Sequence, residues 1–266
     1  MLDEKRMNRV LEKLDTDQML ITDPCAIYYL TGRWIFAGER FLGLLIKKGQ
    51  KPILYLNELF RFDEDLGVTK KMITDTDSVA ELLKCDVDPN KALGVDKTLA
   101  ARFLLPMIDG AIASKFINGS LAVDHTRAIK DEEEIALLRE SSRINDLAMA
   151  EFKKLPKVGM TEIEIANQML DIYKKLGAEA YSFSPIVAFG VNAADPHHMP
   201  DETVLHEGEA VLFDVGCKYH EYCSDMTRTF FFKGTPTDEQ MRIYNLVRQA
   251  NEDAEAYVRP GVRLCD

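Results

Sequence analysis

Two aspartates carry the most chemistry in this chain. They lie in residues 210–232, Ala-Val-Leu-Phe-Asp-Val-Gly-Cys-Lys-Tyr-His-Glu-Tyr-Cys-Ser-Asp-Met-Thr-Arg-Thr-Phe-Phe-Phe, where two strand-like runs flank a polar centre at 218–221. A turn centred between Tyr219 and His220 pairs residue 214 with residue 225. Strand alternation then sets Asp214 and Asp225 on one face. Opposed side chains have Cβ atoms about 5 Å apart, and like charges so placed destabilise a sheet. Aspartate is also depleted in strands. Such a pair stands for a shared proton, a bound cation, or two solvent-facing carboxylates on an amphipathic hairpin. Hard carboxylate oxygens suit Mg²⁺ or Mn²⁺ and, with imidazole added, Zn²⁺, Fe²⁺ or Co²⁺. Two metals roughly 3.5–4 Å apart form a hydrolytic clamp, of which two carboxylates supply only part. Thr227 and Thr229 share the aspartate face, where a hydroxyl can hold a carboxylate oxygen. Val211, Phe213, Val215, Met226 and Phe230 form the other face, suited to packing under helices.

A second candidate is the loop Phe189-Gly-Val-Asn-Ala-Ala-Asp-Pro-His-His-Met-Pro200. Pro196 fixes φ just before His197. Loops set on a rigid sheet often present functional groups. The His197 imidazole is suited to donate to a substrate carbonyl or anionic intermediate; the alternative is an ordinary surface histidine. His198 receives no role. Cys223 reads as core filler, and His125, His206 and His220 as linker, loop and turn residues.

The elements that must position these groups fall into two parts. Residues 3–14 show helical spacing, 18–22 a short buried strand, and 42–47 and 52–56 two strands joined by Lys48-Gly-Gln-Lys51, which is hairpin chemistry. Helices at 78–83 and 100–107 bracket a strand at 92–95. Strands interleaved with helices give an α/β layer architecture. The chain changes character near 120–127. Residues 127–134, Arg-Ala-Ile-Lys-Asp-Glu-Glu-Glu, open a helix whose inward face is Ile135, Leu138, Ile144, Leu147 and Ala148. Thr161-Glu-Ile-Glu164 and Thr237-Asp-Glu-Gln240 are capping boxes for two further helices. Strands at 185–189, 210–217 and 223–232 lie between them.

Composition sets the outer bounds. The 266 residues are 46% apolar, enough for a sizeable core, and carry 33 basic against 44 acidic residues, a net −11. An acidic chain without a basic block is expected to bind neither nucleic acid nor a membrane surface. Its longest apolar runs are too short to cross a bilayer, and the N-terminus lacks the apolar stretch of a signal peptide. Five cysteines without a CxxC read as reduced thiols of a cytoplasmic protein.

The series Pro196-His197-His198, Leu212-Phe-Asp214-Val-Gly216 and Tyr222-Cys-Ser-Asp225-Met-Thr-Arg-Thr229 resembles the Xaa-Pro dipeptidases and aminopeptidases P. These are the creatinase/prolidase branch of the pita-bread metallopeptidases. Tyr28-Tyr-Leu-Thr-Gly32, Ile129-Lys-Asp-Glu-Glu-Glu-Ile135 and Arg259-Pro-Gly-Val262 extend the resemblance over nearly the whole chain. It implies an α/β creatinase-type N-terminal domain over 1–122, then an α+β pita-bread catalytic domain beginning at 127. It implies two divalent metal ions (Mn²⁺, Co²⁺ or Zn²⁺), with Asp214 the first ligand, Asp225 the bridging one, and His197 assisting substrate binding and the tetrahedral intermediate. The implied reaction is hydrolysis of the peptide bond before proline in a cytosolic homodimer.

The family also carries a His, two Glu and a second catalytic His downstream of its Arg-Pro-Gly-Val segment. Beyond Val258 this sequence offers only Asp266 in their place. The expectation is a C-terminally truncated catalytic domain with an incomplete second half. The 266 residues alone should then show little peptidase activity, bind metal weakly and expose apolar surface. Two other readings stand beside the peptidase: a non-catalytic dimerisation or binding module, and a metal-free creatinase-like amidinohydrolase, against which the aspartate pair argues.

Overall fold

The computed structural model describes residues 1–263 and 265; Asp266 lies outside the described residues. The chain divides into two compact units, Met1–Lys130 and Asp131–Asp266.

The first unit contains α1 (Glu4–Lys13), β1 (Gln18–Ile21), α2 (Pro24–Thr31), β2 (Leu42–Lys47), β3 (Ile53–Asn57), β4 (Thr69–Ile73), α3 (Val79–Lys84), β5 (Ala92–Val95), α4 (Ala101–Asp109), β6 (Lys115–Asn118) and α5 (Ser120–Ala128). Its six strands form one mixed sheet in the order β4-β3-β2-β1-β5-β6. Successive residues of β1 serve opposite faces. Met19 and Ile21 join Val10, Ile27, Leu30 and Val123 of α1, α2 and α5. Leu20 joins Ala80, Leu83 and Met107 of α3 and α4. This alternation makes a sheet with helices on both faces. Arg127 belongs to the last turn of α5 and does not open the next helix.

The second unit contains α6 (Glu132–Phe152), α7 (Glu162–Lys175), β7 (Ala180–Tyr181), β8 (Ile186–Phe189), β9 (Ala210–Val215), β10 (Cys217–Tyr219), β11 (Tyr222–Cys223), β12 (Met226–Phe231) and α8 (Asp238–Tyr257). Asp131, Thr161 and Thr237 each close a capping box at the N-termini of α6, α7 and α8. The strands make two small sheets, β12-β9-β8 and β11-β10-β7. Val211, Phe213 and Val215 of β9 are buried with Ile144, Ala148 and Phe152 of α6 and Ile165, Met169 and Tyr173 of α7. Leu147 is exposed, contrary to its expected inward place. The inward stripe of α6 takes the polar Ser141 and Asn145 instead, because they serve the sheet backbone. On α8, Ile243, Leu246 and Val247 are exposed.

Candidate functional site

The register of the site hairpin differs from the expected one by two residues. Asp214 stands opposite Thr227, and Val215 opposite Met226. The cause is the turn. Tyr219 pairs with Tyr222, so the loop is His220-Glu221, and both residues have positive φ (48° and 64°). This is the geometry of a tight two-residue hairpin turn, usually signalled by Asn-Gly. His-Glu carries no such signal. Beside the turn, Lys218 lies 3.5 Å from Glu221 and His220 lies 3.6 Å from Glu179. A shift of two preserves side-chain parity, so the aspartate face survives.

Pairing is interrupted at Gly216 on one side and at Ser224 and Asp225 on the other, between the two small sheets. A Cβ on Gly216 would lie 2.0 Å from the Ser224 carbonyl oxygen and 2.2 Å from Ser182 Oγ, so only glycine fits this kink. Backbone groups freed by the kink find side-chain partners, as buried groups must. Asn145 Nδ2 donates to the Val215 carbonyl (3.2 Å) and Ser141 Oγ to the Cys217 carbonyl (3.2 Å). Ser182 Oγ donates to the Ser224 carbonyl (2.8 Å), and Ser224 Oγ accepts from Cys217 N (3.2 Å). Tyr173 Oη donates to Asn145 Oδ1 (2.7 Å), which fixes that amide. Asp225 therefore sits beside a strand break whose flanking carbonyls are bonded to side chains.

The kink brings Asp225 to Asp214. Water displaced from the Asp225 carboxyl pushes its pKa up, although the residue as a whole is exposed. The neighbouring Asp214 charge and a hydrogen bond shared with Asp214 push it further. Thr227 Oγ1 donates to Asp214 Oδ1 at 2.9 Å. Two carboxylates this close are unfavourable unless a cation or a shared proton lies between them. Their hard oxygen donors, clustered and anchored, fit a divalent ion. Asp214, Asp225 and Thr227 are thus brought together. His197 is exposed on its loop, and no hydrogen bond joins its ring to those three among the described residues. The 3₁₀ turn Gly190–Ala194, which begins the loop, packs against β8 and β9.

One further group has metal-ligand spacing: Glu162, His198 and Asp201. Glu162 is fully buried and accepts from Phe189 N (2.7 Å), Asn192 Nδ2 (3.0 Å) and Asp201 N (3.1 Å), with His198 Nε2 at 2.6 Å. Four partners use the carboxylate's acceptor sites. The grouping is a saturated clamp rather than a vacancy for an ion. Sequence reasoning missed Glu162, His198, Ser141 and Asn145. Glu162 was hidden among the acidic residues that any helix start favours.

Residues 5–129 match the creatinase/prolidase N-terminal domain, and residues 136–266 match metallopeptidase family M24. An uncharacterized peptidase of Staphylococcus epidermidis is 32% identical over 263 residues, covering 98% of this chain and 75% of the relative. The prolidase from Pyrococcus horikoshii superposes with a TM-score of 0.85 at 26% identity, covering 97% of this chain and 74% of that one. The Xaa-Pro dipeptidase from Bacillus anthracis gives 0.79 at 29% identity, covering 92% and 69%. The chain belongs to metallopeptidase family M24: a creatinase-type N-terminal domain followed by a pita-bread domain.

Proposed function

We propose that this protein serves metal-dependent hydrolysis of the peptide bond preceding proline. The observation that carries the reading is the placing of Asp214 and Asp225 on one face of the β9–β12 hairpin, with Asp214 anchored by Thr227, in a chain of family M24. Similarity to proteins named prolidase and Xaa-Pro dipeptidase supports the proline specificity. Asp214 and Asp225 would hold divalent metal, Mn²⁺, Co²⁺ or Zn²⁺, and Thr227 would orient one Asp214 oxygen. When bound, such ions supply Lewis-acid polarisation of the scissile carbonyl and acidify water. His197 would donate to the substrate carbonyl oxygen as negative charge develops there. A cytoplasmic homodimer remains part of the proposal, supported by the family resemblance and the acidic, thiol-containing composition.

One observation favours a second reading. Among the described residues, no third carboxylate or imidazole stands in metal-ligand spacing with Asp214 and Asp225. Two carboxylates alone define a weak cation site, so a metal-responsive binding or dimerisation module is the competing role. Metal analysis and assays of an Xaa-Pro dipeptide, its Xaa-Ala counterpart and a tripeptide with proline second separate the two. Metal-dependent turnover confined to the proline peptides supports the peptidase. Metal binding without turnover of any of them supports the module.

A further inference from the structure

We infer that Glu162 is a positioning residue: its buried carboxylate ties together both ends of the loop 190–200 and so fixes the place of His197. The inference rests on the substrate-binding role proposed for His197.

Glu162 is the first residue of α7 and is 0% exposed. The helix does not need it as a cap. Thr161 and Glu164 carry out both halves of the capping box, at 3.2 and 3.0 Å. A carboxylate buried away from water is costly unless hydrogen-bonded. The partners of Glu162 divide into two pairs. Oε1 accepts from Phe189 N, at the end of β8, and from Asn192 Nδ2, in the first turn of the loop. Oε2 meets His198 Nε2 and accepts from Asp201 N, at the far end of the loop. One rigid group therefore holds both ends of the excursion, and charge-assisted bonds are the stronger kind.

The same end of the loop is laced to the start of α7. Ile163 N donates to the Asp201 carbonyl and Glu162 N to the Thr203 carbonyl, both at 3.2 Å. Between the tied ends little freedom remains. Asp195 Oδ1 accepts from His197 N at 2.9 Å, and the Asp195 carbonyl accepts from His198 N at 3.3 Å. Pro196 fixes φ within that turn. His197 is thus bracketed by a proline-stiffened turn before it and the clamped His198 ring after it. Partners that orient a functional group in this way matter nearly as much as the group itself.

The test compares Glu162→Gln, His198→Ala and His198→Gln in the full chain. Glutamine at 162 keeps an acceptor for Phe189 and Asn192 but opposes its NH₂ to the Asp201 N–H. Glutamine at 198 retains a donor. The readouts are the NMR signal of the His197 Cε1 proton and amide exchange at Asp201, with exchange at Phe213 and Val215 as the measure of an intact sheet. We expect Glu162→Gln and His198→Ala to split or broaden the His197 signal and to speed exchange at Asp201 by about tenfold or more. His198→Gln should restore both. In turnover of an Xaa-Pro dipeptide, kcat should fall about 10- to 100-fold with metal content unchanged. Glu162→Gln should add nothing to the loss from His197→Ala. An unchanged His197 signal and unchanged Asp201 exchange in a folded Glu162→Gln protein would overturn the inference. So would fully additive kcat losses. If Glu162→Gln does not fold, the two His198 variants decide by the same readouts. The His197 signal and the Asp201 exchange are read on the folded protein whether or not it turns over proline peptides, so they decide the clamp independently of the proposed function.

Discussion

Asp214 and Thr227 stand directly opposite each other across the β9–β12 pair, and the Thr227 hydroxyl donates to Asp214 Oδ1 at 2.9 Å. One oxygen of the carboxylate is thereby committed, which orients the other. Thr227→Val keeps the β-branched shape that suits a strand and removes only the donor. Divalent-metal affinity should fall about 10- to 100-fold, and Thr227→Ser should recover most of it. Titration calorimetry with Mn²⁺ measures both.

The Asp225 pKa lies above the usual carboxylate value. A group whose folded pKa is raised contributes its stability below the unfolded pKa. That contribution is lost as pH rises through the folded one. At neutral pH without metal, Asp225 therefore weakens the fold, by no more than about 0.5 kcal/mol because the residue is solvent-screened. Asp225→Asn should melt at or slightly above the wild-type temperature at pH 7 in chelator, and below it when divalent metal is added. Thermal melts from acid to neutral pH, with and without metal, test the crossing.

Gly216→Ala should be among the most damaging single substitutions in the second unit. Its Cβ would lie 2.0 Å from a backbone oxygen rather than against a flexible side chain. Overpacking on that scale costs about 3 kcal/mol. The strand break that carries Asp225 would shift with it. Urea denaturation reads the stability, and metal binding reads the displacement.

The capping boxes of α7 and α8 and the shared parity of the two aspartates were legible because they rest on local pattern. Apolar periodicity, helix-start chemistry and strand parity are all written within a few residues. The hairpin register was not, since His220-Glu221 adopts positive φ at both residues without the Asn-Gly signal that usually marks such a turn. Ser141 and Asn145 carry no local sequence signal of their role on α6. Their partners are carbonyls some seventy residues away, created by a kink that only the assembled sheet has. Glu162 was equally hidden, because its four partners lie beyond residue 188.

Burial pushes the Tyr181 phenol up to about 12. Its folded pKa is raised, so its contribution is complete below about pH 10, the ordinary tyrosine value, and is lost as pH rises toward 12. Tyr181→Phe cannot ionise and should show a shallower loss of stability over that interval, at the cost of the 3.1 Å hydrogen bond to the Ala166 carbonyl. Chemical denaturation at pH 9, 10 and 11 compares the slopes.

The central claim is that Asp214 and Asp225 hold a divalent cation together. Mn²⁺ binding followed by electron paramagnetic resonance on the wild-type chain, Asp214→Asn and Asp225→Asn tests it most directly. The account predicts a bound-Mn²⁺ signal in the wild type that either single substitution abolishes, with the folded sheet retained. Wild-type-like Mn²⁺ binding by both variants would contradict it and would assign the ion to residues other than this pair.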